Sequence, residues 1–328
     1  MNPESTGAIL ERIERQAGIA GLAAILAERL SPTDLQSLLL EVYRQRASRL
    51  QPADVLSNYQ NNRFVQPSKV TATCLFQWKW IALANLPPEF QLIEISPVCP
   101  LGTCSSIAPV DQNWSVATSR NTEVVSDSTN VLALECALRR RDLLKTNPKS
   151  TEPVHLATSQ RLLRAQNFQK PNQVTHFHTI CLSSAGRDLG NLRFEVSTLG
   201  LQIRFYLRAL RAFLGQFVQL KLSLTDFSVH DDKKMLEDEL LAPIRTEFEL
   251  VECVFNDSRT SGRGYYQHLC FHIHASNPDG RLIELVDGGI VDWTQKYLGN
   301  AKERLLISGI GSERVCTEFG KVGLELET

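Results

Sequence analysis

Arg314 follows the run Gly309-Ile-Gly-Ser, and Glu284 to Asp287 lead into the pair Gly288-Gly289. Glycines where strands give way to helices let a flat ligand or a phosphate approach the backbone closely. An arginine just past such a turn can grip a phosphate through two parallel hydrogen bonds. The same residues also suit two plain turns in an α+β core. His268, Cys270, His272 and His274 alternate, the pattern of one face of a strand. Imidazole and thiolate are zinc ligands, but same-face strand neighbours stand about 7 Å apart, so two or three share an ion only with outside help. Hydrogen-bonded residues lining a pocket are the alternative. His176 and His178 also face one way. Cys99 and Cys104 flank Pro100-Leu-Gly-Thr with no second pair nearby and read as free thiols. Gly186-Arg-Asp-Leu-Gly190 reads as a turn.

The 328 residues must position these groups, and they can bury a substantial core in one large domain with an appendage, or in two domains. Hydrophobic residues at 43% and charged residues at 22% describe an ordinary globular chain. A net charge of -1 offers no general attraction to nucleic acid. Arg139-Arg-Arg141 is the local exception, either a basic patch or a helix end that complements the dipole. Eight irregularly spaced cysteines without a leader peptide point to reduced thiols in a cytoplasmic protein. The apolar run from Ala17 to Leu30 contains Glu28 and Arg29 and is expected as a buried helix rather than a signal core. No run approaches the roughly 18 apolar residues of a membrane span.

Residues 1–65 read as a helical module for docking or dimer contact, and residues 66–328 as the main domain. Ser31-Pro-Thr-Asp34 is a helix start, with Ser31 as cap, and Pro52 opens a shorter helix ending in a polar loop at 58–62. Beyond residue 70, strands are expected at 91–95, 115–118, 154–164, 175–183, 218–224, 248–255, 265–275, 282–286 and 305–310. Helices are expected at 130–144, 196–217, 231–248 and 292–298, and a long loop at 167–173 joins two strands in hairpin order. Strands in succession with helices between them favour a mostly antiparallel sheet in an α+β domain.

Four segments in order, with two further signatures, carry a family likeness: Glu94-Ile-Ser-Pro97, Val124-Val-Ser-Asp-Ser-Thr129, Leu163-Arg-Ala-Gln166 with His176-Phe-His-Thr179, and Gly309-Ile-Gly-Ser-Glu-Arg314. Gly264-Tyr-Tyr266 and Gly288-Gly-Ile-Val-Asp-Trp-Thr-Gln-Lys-Tyr-Leu-Gly299 complete the set. Together, over roughly residues 90 to 320, they resemble the catalytic core of class II aminoacyl-tRNA synthetases, the histidyl branch most closely, and its paralogue, the regulatory subunit of ATP phosphoribosyltransferase. The resemblance implies a synthetase-like antiparallel sheet flanked by helices, a homodimer through the first segment, and activation of an amino acid or related carboxylate with ATP and Mg2+ for an unnamed acceptor. It implies Arg164 and Arg314 as the ATP arginines, with Gln166, His176 and Phe177 also on the nucleotide. Asp127, Thr129, Tyr265, Tyr266, Gly288 and Gly289 fall on the substrate side.

Departures accompany the likeness. Gln166 stands where the family keeps a glutamate, and Ile290 and Val291 where it keeps arginine and tyrosine. The histidyl enzyme's functional arginine falls on Ser261, with Arg259 and Arg263 two positions either side. The chain ends fourteen residues after Arg314, without the anticodon-binding domain. A catalytically silent regulatory or binding subunit, working with a partner enzyme, is therefore the second expectation.

Overall fold

A computed structural model describes residues 3–166, 175–228 and 232–323, and the loop expected at 167–173 lies outside them. The chain divides into two compact units, residues 1–65 with 117–122, and residues 66–116 with 123–328. Among the described residues, no helix is long and apolar enough to cross a membrane.

The first unit is helical: α1 (Pro3–Ala17), α2 (Leu22–Ala24), α3 (Pro32–Ala47) and α4 (Pro52–Asn61). The Ser31 hydroxyl accepts the Asp34 amide at 3.1 Å and caps α3, with Pro32 in the first turn where its missing N–H costs nothing. Gln51 and Asp54 cap α4 reciprocally, and the helix runs on through the polar residues expected as a loop at 58–62, the Asn62 amide still donating to the Asn58 carbonyl. The run from Ala17 to Leu30 is not one buried helix. Gly18 and Gly21 take left-handed conformations (φ 68° and 67°) that stop the helix, and the π-helical turn Ile25–Arg29 that follows α2 buries no residue. Apolar side chains of this unit stay exposed, among them Ile13 on α1, Tyr43 on α3 and Leu56 on α4.

The second unit is built on strands β1 (Gln91–Leu92), β5 (Val154–Leu163), β6 (His176–Arg187), β7 (Leu220–Asp226), β8 (Val251–Phe255), β9 (Leu269–Ser276), β10 (Leu282–Val291) and β11 (Glu303–Gly311). They form an eight-stranded sheet in the order β1-β5-β6-β11-β10-β9-β7-β8. Only the edge pairs β1–β5 and β7–β8 are parallel, so the expected mostly antiparallel α+β sheet is present. The short strands β2 (Val98–Pro100), β3 (Val116–Ala117) and β4 (Thr122–Val124) make a smaller sheet in the order β2-β4-β3.

Helices cover both faces. On one, α5 (Ala72–Ala84), the long α7 (Arg193–Leu214) and α11 (Ser312–Gly323) pack against Ile180, Leu182, Phe271, Ile273, Leu306 and Ile310. On the other, α6 (Ser128–Thr146) and α10 (Trp293–Leu298) meet Leu156, Cys181, Cys270, Leu305 and Ile307. The alternation along β6 and β11 is the period of a pleated strand buried on both sides. The helix expected at 231–248 is, over its described helical part, α8 (Lys233–Leu236), a π turn and α9 (Ala242–Glu247).

Several expectations shift because the ladder outweighs local composition. β6 continues through Ser184, Ala185 and Gly186, which pair with Leu306, Leu305 and Arg304, so only the end of the expected Gly186–Gly190 turn is a turn. At Gly186 a Cβ would stand 2.6 Å from the Phe194 ring, so the glycine serves packing. The three arginines do not form a basic patch. Arg140 is fully buried against Glu303 (2.8 Å), and Arg139 pairs with Glu135. All eight cysteines are free and buried.

Candidate functional site

Asp127 sits at the start of α6, where a side chain that accepts amide protons satisfies the helix end. Its Oδ1 accepts from the Thr129 amide (2.9 Å) and the Thr129 hydroxyl (2.7 Å). Its Oδ2 accepts from Arg164 Nη2 at 3.2 Å. Arg164 lies one residue past β5, its amide still bonded across to the Thr175 carbonyl, and its Nε donates to the Ser126 carbonyl. The guanidinium stands 5.2 Å from the Phe177 ring centroid, a cation–π distance. The Arg164 and Asp127 side chains are 34% and 27% exposed, so solvent and ligands reach both. Tyr265 closes the cluster edge-on to Tyr266 (5.1 Å) and Trp293 (5.6 Å). Burial, and then the Asp127 carboxylate, hold its phenol well above the usual tyrosine range, against a smaller pull from Arg164.

A second cluster gathers on Asp287 of β10. Tyr266 donates to Oδ2 (2.9 Å), Arg259 Nη2 donates to Oδ1 (2.9 Å), and His272 Nε2 lies 3.1 Å from Oδ1. Burial raises the Asp287 carboxyl, but the His272 hydrogen bond and the Arg259 charge outweigh it and hold the group below the usual carboxylate range. Arg259 is 4% exposed, and its Nη1 is buried without a partner among the described residues. Its Nε donates to the Ser261 carbonyl, and its guanidinium lies 5.6 Å from the Tyr266 ring centre. The chain thus folds an arginine from two positions upstream into the site beside Ser261. Gly262 makes the fold-back possible: φ is +85°, and a Cβ there would meet the Tyr266 ring at 2.8 Å.

The remaining expected residues are placed differently. Gly288 and Gly289 are not at a turn but inside β10, paired on both sides with β9 and β11. A Cβ at Gly289 would lie 2.5 Å from Tyr266 and 2.7 Å from Cys270; at Gly288, 2.5 Å from Ser308 and 2.7 Å from Phe271. Both glycines make room for neighbouring side chains. His176 precedes Phe177 on one strand and so faces the other side of the sheet. Its ring nitrogens bond Arg161 and the Gln66 carbonyl, away from Arg164. Gln166 is half-buried at the end of the described β5 segment. Arg314, exposed in the first turn of α11, donates Nη1 to the Glu284 carbonyl at 2.9 Å. β5 and β11 both end opposite the start of β6, which puts Arg164 and Arg314 at the same end of the sheet. From β5 to β10 is three strand spacings, roughly 14 Å. His268 precedes β9 and does not share the face of its alternating partners; its Nε2 lies 3.9 Å from Glu195 of α7.

Sequence reasoning passed over Asp287 and Arg259. Asp287 directly precedes the Gly288-Gly289 signature, whose glycines drew the reading instead, and Arg259 reaches the site only through the fold-back at Gly262. The parity of His176 and Phe177 was a usable signal: two adjacent strand residues cannot both face one nucleotide.

No family model matches the chain, and no curated protein matches it in sequence. Its fold does match solved structures. Apo histidyl-tRNA synthetase of S. aureus superposes with a TM-score of 0.57 at 14% identity, over 79% of this chain and 70% of that one. An ATP phosphoribosyltransferase regulatory subunit/histidyl-tRNA synthetase from Bacillus halodurans superposes with a TM-score of 0.56 at 12% identity, over 77% and 82%. The chain therefore has the class II synthetase-like fold. At these identities the likeness is one of fold.

Proposed function

We propose that this protein binds ATP and an amino acid or related carboxylate and joins them as an adenylate for transfer to an acceptor. One observation carries the reading: Asp127, Thr129, Arg164, Phe177 and Tyr265, from four separate stretches of chain, meet in one accessible cluster. A carboxylate and a hydroxyl suit a substrate ammonium. A guanidinium beside an aromatic ring suits a phosphate next to a base.

Asp127 and Arg164 neutralise each other across 3.2 Å. A substrate ammonium taking the Asp127 carboxylate would release Arg164 Nη2 toward the α-phosphate, so the two sites fill in concert. A carboxylate oxygen of the substrate then attacks the α-phosphorus, the bond to the β-phosphate oxygen breaks, and pyrophosphate leaves with that electron pair. No proton moves. Arg164, with Arg314 at the same end of the sheet, supplies the positive charge that two anionic reactants require. Magnesium bound to the phosphates would add to that neutralisation. Asp287, Arg259 and Tyr266 lie beyond Tyr265, where the rest of the substrate would be read.

Pyrophosphate exchange across the twenty amino acids tests this. Exchange with one of them that disappears in Arg164→Ala and in Arg314→Ala supports the proposal.

A second reading is favoured by Arg314, which is bonded to its own backbone at Glu284, and by the uncharged Gln166. In that reading the fold binds the small molecule but does not react it, and acts on a partner enzyme, as the name of the B. halodurans neighbour suggests. Absence of exchange, with co-purification of a phosphoribosyltransferase, would establish it. In either reading we assign a homodimer in the cytoplasm, with contact through the segment at Glu94–Pro97.

A further inference from the structure

His272 and His274 on β9 face Asp287 and Glu284 across the ladder to β10. The two imidazoles stand edge to face with ring centres 5.6 Å apart. One ligand atom from each of His272, His274 and Glu284 lies within 4.8 Å of the other two. We propose that these three side chains bind a divalent transition-metal ion, zinc foremost, on the β9–β10 ladder.

The geometry needs one exchange: His272 Nε2, now 3.1 Å from Asp287 Oδ1, gives up that hydrogen bond to the ion. Ligands about 2.1 Å from a tetrahedral ion are about 3.4 Å from one another. His272 Nε2 and Glu284 Oε2 are already 3.7 Å apart. Glu284, 44% exposed, closes the remaining gap by side-chain rotation. The outside help that same-face histidines require comes from the neighbouring strand. The backbone under Glu284 is pinned by Arg314, which bonds its carbonyl at 2.9 Å.

A second, independent observation is His274 Nδ1, which is buried and has no hydrogen-bond partner among the described residues. A buried ring nitrogen without a partner is costly unless something absent from the protein alone completes it. The nearby cations are already neutralised: Lys221, opposite His274 on β7, holds Glu252 at 2.8 Å, and Arg259 holds Asp287. Three protein ligands leave one position of a tetrahedral ion for water, the pattern of a reactive rather than a structural zinc site. Two imidazoles and one carboxylate favour zinc and its neighbours over magnesium, which prefers oxygen donors and bound water. The site therefore differs from the magnesium that accompanies ATP.

The test uses the full chain stripped with a chelator and titrated with Co2+ by visible absorption, with metal content counted by mass spectrometry. One Co2+ per chain is expected, displaced by one equivalent of Zn2+ and unaffected by a large excess of Mg2+. His274→Gln and Glu284→Gln should each weaken binding by at least about tenfold, or about 1.4 kcal/mol. Circular dichroism and the metal-free Tm of these partly exposed positions should match the parent. Substoichiometric uptake by the parent, or uptake of equal affinity in both variants, would overturn the proposal.

Discussion

Gly289→Ala separates two explanations of the glycine pair. The added Cβ would stand 2.5 Å from Tyr266 Cδ1, 2.7 Å from Cys270 Cβ and 2.8 Å from the Leu269 carbonyl oxygen. The carbonyl and Cys270 Cβ belong to the β9 ladder and can retreat only by bending it, so the strand must give as well as the aromatic ring. Overpacking of this kind costs about 1–3 kcal/mol. Displacing Tyr266 also strains its 2.9 Å hydrogen bond to Asp287, and a bond to a charged group is worth about 1.5–3 kcal/mol. Together the variant should lose about 2.5–6 kcal/mol in urea unfolding followed by circular dichroism. In a Tyr266→Ala background the ring is gone, and the same substitution should cost at least about 1 kcal/mol less. A Gly289→Ala protein within about 0.5 kcal/mol of its parent, or an equal cost in both backgrounds, would refute the packing argument. It would return the pair to the role of ligand access.

Three further outcomes follow from the same geometry. Arg140→Met leaves the Glu303 carboxylate buried and unpaired, so about 3–5 kcal/mol should be lost in urea, while the double variant with Glu303→Leu should regain most of it. His178 is held neutral, its pKa lowered to about 3, first by burial and then by Lys79 and Arg161. Its folded pKa lies below its unfolded value near 6.5, so the unfolded chain binds the extra proton; this group should remove about 1.4 kcal/mol of stability per pH unit as pH drops from about 6.5 toward 3, and the slope should be smaller by that amount in His178→Phe. Arg259→Lys keeps the charge but not the planar fork, and a thermal melt at pH 7 should show destabilisation as Asp287 and the Ser261 carbonyl lose ideal donors.

Much of the fold could be read from local signals. The runs of β5 and β6 announced a hairpin pair, Ser31 announced a helix start, and the strand-rich middle announced an antiparallel sheet. Each depends on residues close in sequence. Where long-range pairing decided the outcome, local reading failed. Ser184 to Gly186 look like loop residues but extend β6 because β11 offers a ladder. His268 matches the alternation of β9 but lies just before it, where its carbonyl accepts the Phe227 amide while its ring stands near Glu195 of α7. The apolar run 17–30 gave way to two left-handed glycines. At the site, Asp127 and Arg164 were visible as residue types in order, and their mutual hydrogen bond was not. The Arg259–Asp287 pair joins positions 28 apart through a fold-back that only the backbone at Gly262 discloses.

Strand parity supplies the most direct measurement of the central claim that Arg164 and Phe177 form a nucleotide site. ATP binding should be followed by calorimetry in the parent and in Arg164→Ala, Phe177→Ala and His176→Gln. The account predicts one ATP per chain, a Kd weakened by at least about tenfold in the first two variants, a loss of about 1.4 kcal/mol each, and no change in the third, because His176 lies on the opposite face. No ATP binding by the parent, or a His176→Gln variant as impaired as Phe177→Ala, would contradict it.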